Sequence, residues 1–119
     1  MWKRLMRKIV LMIALCLSSE SVFATYTCSG PITYLQVGGD GSLYASFGGL
    51  SYVRFCHLGI TDTNGVTAAA CSGMYALFVT ARAAGWTVYQ VFDDGLTCAT
   101  QAEWATLSSS AMNGGPQTY

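Results

Sequence analysis

The chain has 119 residues, six Lys or Arg against six Asp or Glu, and a formal net charge of zero; 52% of its residues are apolar and only 10% are charged. That length fits one domain. So few cations exclude nucleic acid as a partner, because neutralising phosphates takes Lys and Arg in number.

The chain opens MWKRLMRKIVLMIALCLSSESVFA, with Lys3, Arg4, Arg7 and Lys8 ahead of an apolar run from Ile9 to Leu17 and with Val22-Phe23-Ala24 at its end. A positive start, a short apolar centre and a small-x-small end make the pattern of a secretory signal peptide over residues 1–24, with the cut expected after Ala24. The apolar run is well short of the ~20 residues a membrane-spanning helix needs, so no membrane span is expected after cleavage. Leu15 stands before Cys16, where a lipoprotein would carry a small residue. The expected product is a single secreted or periplasmic domain over residues 25–119. It holds Arg54 and Arg82 against Asp40, Asp62, Asp93, Asp94 and Glu103, two cations to five anions, for a net charge of −3. Cys28, Cys56, Cys71 and Cys98 remain, an even number that reads as a disulfide framework in a short exported chain. Three connectivities are open.

In chain order, Pro31–Val37 and Ser42–Phe47 alternate between two faces, and the GGDG between them supplies the turn of a hairpin. Gly48-Gly49 is the next turn, and Leu50–Leu58 is a third strand rich in β-branched and aromatic residues. Asn64-Gly65 marks a turn. From Thr67 the period changes: Cys71, Met74, Leu77, Phe78 and Ala81 fall at steps of three and four, one face of a helix. Gly85 stands where a helix C-cap belongs, and Arg82 suits the last turn. Gly73 is a weak point inside the helix, costing about 1 kcal/mol relative to Ala. Trp86–Phe92 returns to period two as a fourth strand. Thr100-x-x-Glu103 has the form of a capping box, so residues 100–107 read either as a short helix or as a last edge strand. Residues 112–119 read as a loose tail. The order β-β-β-α-β-β makes a mainly β fold with one helix, a small five-stranded, disulfide-stapled barrel of the oligonucleotide/oligosaccharide-binding (OB) type. An open antiparallel sheet with one packed helix is the alternative.

The Phe55-Cys56 pair, a loop ending in Ala70-Cys71, a long apolar helix and then GWTVYQVFDD from Gly85 to Asp94 resemble the B subunits of subtilase-cytotoxin, typhoid-toxin and related pertussis-like pentameric toxins. Gly85, Val88 and Asp93 match a Gly, a Val-containing strand and its acidic end, and Ser29-Gly30 matches a Ser-Gly at the start of the family's first strand. The resemblance spans roughly Ser29 to Asp93. It implies an OB fold, a homo-pentamer, an exported enzymatic subunit as partner, and recognition of surface glycans, typically sialylated. The family's sugar-contacting serine falls on Ser29. A tyrosine that helps hold the sugar falls on Phe92, a departure that removes a hydroxyl. The acid expected just before the serine falls near Thr25, a second departure.

The cysteines belong to the same comparison, since the family is stapled between its third strand and its helix, here Cys56 and Cys71. As a metal site that pair lacks partners, because zinc takes four N or S ligands at close spacing. As a reactive thiol Cys56 lacks a base, because neighbouring His57 points to the opposite face of a strand. Cys28 and Cys98 then pair by elimination, in an arrangement the family does not share. No cofactor, metal or catalytic set is expected. Asp93-Asp94-Gly95 reads as a turn rather than the paired carboxylates of a glycosidase, which stand across a cleft. Tyr26, Tyr34, Tyr44, Phe47, Tyr52, Trp86, Tyr89 and Trp104 supply more rings than one small core needs, and rings suit sugar faces as well as cores. The expected function is a non-enzymatic glycan-binding module; the alternative is a stand-alone periplasmic structural or protein-interaction domain of the same fold.

Overall fold

The computed structural model describes residues 25–108 and 114–118, so the expected leader and residues 112, 113 and 119 of the expected tail lie outside the described residues. The elements are β1 (Tyr26–Pro31), β2 (Tyr34–Val37), β3 (Ser42–Ser46), β4 (Val53–His57), α1 (Ala68–Ala84), β5 (Thr87–Phe92), a 3-10 turn (Cys98–Thr100) and β6 (Gln117–Thr118). The expected meander forms as β2–β3–β4, all antiparallel. Its hairpin turn is closed by Gly38 N–H to Ser42 O at 2.8 Å and by the Asp40 carboxylate, which accepts from Ser42 N and Oγ at 3.0 and 2.8 Å. Those two bonds hold the Asp40 carboxyl below its usual range.

The helix is built as its sequence dictates. The Thr67 hydroxyl accepts from Ala70 N–H at the N-terminus, and Gly85 ends the helix in the left-handed conformation that glycine adopts without strain. Cys71, Phe78 and Ala81 are buried, with Met74 and Leu77 at the edge of the same face. Phe78 meets Phe47 and Phe55 at ring-centroid separations of 5.8 and 5.1 Å, and Leu43, Val53, Val88 and Phe92 complete the core. Disulfides Cys56–Cys71 and Cys28–Cys98 tie β4 to α1 and β1 to the 3-10 turn, each across a Cα–Cα distance of 5.6 Å.

The expected closed five-stranded barrel is corrected to a mainly β fold of two open three-stranded sheets, β2–β3–β4 and β1–β5–β6. The physical reason lies at the two seams. At one, the chain passes from β1 into β2 through Ile32-Thr33, whose only ladder bond to the neighbouring sheet is Thr33 N–H to Ser46 O at 3.0 Å. At the other, residues 105–107 reach β4 by a single parallel bridge, Thr106 beside Arg54, and form no ladder with β5 among the described residues.

Three further differences follow the chain. β1 precedes the first expected strand and pairs with β5 over its whole length, from Tyr26 opposite Phe92 to Pro31 opposite Thr87. Thr100 ends the 3-10 turn and residues 101–107 form neither helix nor ladder; Thr97 N–H donates to Thr100 Oγ1 at 2.7 Å, so Thr100 closes the preceding turn instead of opening a helix. Within the expected loose tail, Gln117–Thr118 pairs with β5.

Candidate functional site

At the β1–β2 seam lies a cleft of about 520 Å³. Its floor depends on two glycines. Gly48, at φ 58°, passes so close to β1 that an added Cβ would stand 2.3 Å from Ser29 N and 2.7 Å from Ser29 C. A Cβ added at Gly30 would stand 3.0 Å from Gly48 N, so the approach is tight from the other side as well. No other residue type fits Gly48, because both the space and the left-handed backbone are denied to a side chain. This contact brings the β3–β4 loop against the strand that carries Ser29.

Ser29 is exposed at the rim of this cleft. Thr33, Ser46 and Ser51 add hydroxyls, and Tyr34 and Tyr52 form an aromatic wall with centroids 4.7 Å apart and planes at 82°. Ser46 Oγ accepts from Tyr52 N–H at 2.7 Å, while the Thr33 hydroxyl donates to Ser46 O at 3.2 Å. Ser29 and Ser51 hydroxyls have no hydrogen-bond partner among the described residues. The wall continues outward. Tyr52 stacks on Trp104 at 5.0 Å with planes 4° apart, and Trp104 meets Tyr44 edge-on at 5.4 Å. Trp104 is 53% exposed.

Tyr52 and Trp104, at φ 50° and 60°, are the two non-glycine residues with positive φ among those described. Trp104 N–H donates to Tyr52 O at 2.9 Å, so the strained pair is joined by backbone as well as by rings. A non-glycine residue in this conformation costs about 1–2 kcal/mol. Such strain concentrates at ligand clamps and active sites, where surrounding structure holds it in place.

The expected partner of Ser29 is not here. Phe92 is fully buried and stacks on Tyr26 at 5.3 Å. Val88, Gln90 and Phe92 face inward along β5, whereas Ser29 lies on the outward face opposite Tyr89. The structure therefore assigns Phe92 to the core and does not bring it to Ser29. The four expected cysteines are all in disulfides and take no part in the cleft. Tyr34, Tyr52 and Trp104 were visible in the sequence only as three aromatics among many. No residue pattern marks a tyrosine or tryptophan for the left-handed conformation.

A second cavity of about 510 Å³ lies beside Asp93, Asp94 and Gln101. Asp94 is a structural hub: it accepts from the Tyr26 hydroxyl at 2.7 Å, from Gln101 Nε2 at 2.6 Å and from Leu96 N–H at 3.0 Å. Burial raises its pKa, but these donors together outweigh burial and hold it below the usual carboxylate range. Burial, then the bond to Asp94, push the Tyr26 phenol up to about 12. Among the described residues no group of three or more His, Cys, Asp or Glu is placed to hold a metal ion, and no helix is long and apolar enough to cross a membrane.

No protein-family model, curated protein or solved structure matches this chain. The functional reading rests on the geometry of the cleft.

Proposed function

We propose that the protein is a secreted or periplasmic, non-enzymatic glycan-binding module with an OB-type strand path, resembling the B subunit of a pertussis-like toxin. The observation that carries this reading is the Ser29 cleft, where the unengaged Ser29 and Ser51 hydroxyls stand beside a wall of half-buried Tyr34 and exposed Tyr52. Sugars present alternating hydroxyls and apolar C–H faces, and a site that joins hydroxyl partners to a ring serves both. Ser29 and Ser51 would exchange hydrogen bonds with sugar hydroxyls, and Tyr34 and Tyr52 would cover a ring face.

The OB-type path is supported by the passage of one extended segment, β1 into β2, from one sheet to the other, and by the parallel approach of Thr106 to Arg54 after the helix. Export is supported by the leader pattern and by two disulfides in so short a chain. Assembly as a pentamer, or with an exported enzymatic subunit, is supported by the exposed Tyr75 and Val79 of α1 and by Trp86 just after it.

The second reading is a protein-interaction domain without a sugar site. It is favoured by the burial of Phe92, which leaves the toxin-like tyrosine position without an exposed counterpart. A glycan array together with native mass on the oxidised, processed protein decides between the two. Glycan signals that disappear in Ser29→Ala support the first reading, and a silent array with a folded protein supports the second.

A further inference from the structure

We infer that the Ser29 cleft and the Tyr52–Trp104 stack form one extended site for an uncharged oligosaccharide, in which one sugar sits at Ser29 and the following sugars cross the face of Trp104. This rests on the glycan-binding reading above and adds to it the charge and the length of the ligand.

The length follows from continuity. Tyr52 belongs to both places: its ring is part of the cleft wall and also lies parallel to the Trp104 indole at 5.0 Å. Tyr34 lies 6.4 Å from Trp104 as well, and Tyr44 extends the ring surface on the far side. The aromatic surface therefore runs without a break from the cleft out to a tryptophan that is more than half exposed. Two left-handed residues hold it in that position, the kind of backbone strain that collects at ligand clamps.

The charge follows from what surrounds the rings. None of the residues lining the cleft is Lys, Arg, His, Asp or Glu. Arg54 stands opposite Tyr44 in the β3–β4 register, but its guanidinium is held by Asp62 in two bonds of 2.8 and 3.1 Å. Arg82 lies in the last turn of α1 and is absent from the cleft lining. Glu103 adjoins Trp104 in the chain. A sugar carboxylate seated here would lose water without gaining a free cation, which is unfavourable. A neutral sugar meets only hydroxyls and rings. The sialylated ligands that the toxin resemblance implies are thus the ones this surface is least suited to take.

The test uses the processed, oxidised protein on an array that carries neutral chains and their sialylated counterparts on the same cores, followed by titration of a neutral disaccharide and a neutral tetrasaccharide that share a terminal sugar. We expect signals from neutral chains, no gain from sialylation, and affinities that do not change with salt, since no charge pair is formed. In Trp104→Ala the tetrasaccharide-to-disaccharide affinity ratio falls about tenfold, and Trp104→Tyr restores most of it. Tyr44→Ser, with a smaller loss in the same ratio, serves if Trp104→Ala does not fold. Binding confined to sialylated chains would overturn the inference and leave the glycan-binding function standing. An unchanged ratio in a folded Trp104→Ala would overturn the extended site. An array silent to every chain would overturn both.

Discussion

Phe47, Phe55 and Phe78 meet inside the molecule at centroid separations of 5.1 to 5.8 Å, and Tyr34, Tyr44, Tyr52 and Trp104 meet on its surface at 4.7 to 6.4 Å. The inner rings sit on ordinary backbone, are at most 1% exposed, and lie between β4 and α1 where Cys56–Cys71 staples the two. The outer rings include two residues in left-handed backbone, and both of these are exposed. Among the described residues every phenylalanine is buried, whereas no tyrosine or tryptophan is. The difference is chemical. A phenyl ring has nothing to hydrogen-bond, while a phenol or indole buried without a partner costs free energy. Rings kept outside under strain are therefore available for something other than the core.

The largest effect expected from this contrast is at Phe55. Phe55→Ala should lower stability by about 3–5 kcal/mol, read by denaturant unfolding, and a loss below 1 kcal/mol would dissolve the distinction between the two clusters. Reducing Cys56–Cys71 comes next. Its sequence separation of 15 residues corresponds to about 3 kcal/mol in the chain-entropy model, so the melting temperature should fall markedly under strong reductant.

At the surface the effects on stability are smaller. Trp104→Gly releases the left-handed strain, about 1–2 kcal/mol, and loses ring pairs of about 0.5–1.5 kcal/mol each. The pairs with Tyr34, Tyr44 and Tyr52 total about 1.5–4.5 kcal/mol, so the net loss should be about 1–2 kcal/mol, below that of Phe55→Ala. Tyr26→Phe removes the bond the hydroxyl donates to Asp94 and the one it accepts from Gln101, and should cost about 1–2 kcal/mol.

Tyr26 also sharpens the comparison through pH. Its folded pKa, about 12, lies above its ordinary 10.0. The stability it contributes is complete below pH 10 and is lost as pH rises toward 12. Asp94 acts in the opposite sense, because its pKa is lowered. Its contribution is present above the ordinary carboxyl range and is lost as pH falls through the folded value. Unfolding followed across alkaline pH should show a decline in the wild type that flattens in Tyr26→Phe.

Much of the inner region was legible in the sequence. The 3–4 spacing from Cys71 to Ala81 named the buried face of α1, and Thr67 and Gly85 stand at its ends. The meander followed from alternation and glycine turns. The disulfide pairing came from the resemblance, for Cys56–Cys71, and from elimination, for Cys28–Cys98, and both bridges form. β1 was missed because the alternating run reads as beginning at Pro31, whereas Pro31 ends β1, at a strand end where a missing N–H is tolerated. The inward face of β5 was ambiguous because Val88, Gln90 and Phe92 are no more apolar as a set than their neighbours, and the burial of Gln90 runs against its type. Barrel closure depended on seams of one or two hydrogen bonds, which no periodicity reports. Ser29 was legible only as a resemblance. The aromatic wall beside it was not, since the Gly48 approach and the left-handed backbone of Tyr52 and Trp104 arise from tertiary contacts.

The central claim is that the strained outer aromatics serve a ligand rather than the fold. It is tested most directly by measuring denaturant stability and oligosaccharide affinity on the same preparation of Trp104→Gly. The expected result is a stability loss of no more than about 2 kcal/mol and tetrasaccharide affinity reduced about tenfold or more. A stability loss comparable to that of Phe55→Ala, or an unchanged affinity in the folded variant, would contradict it.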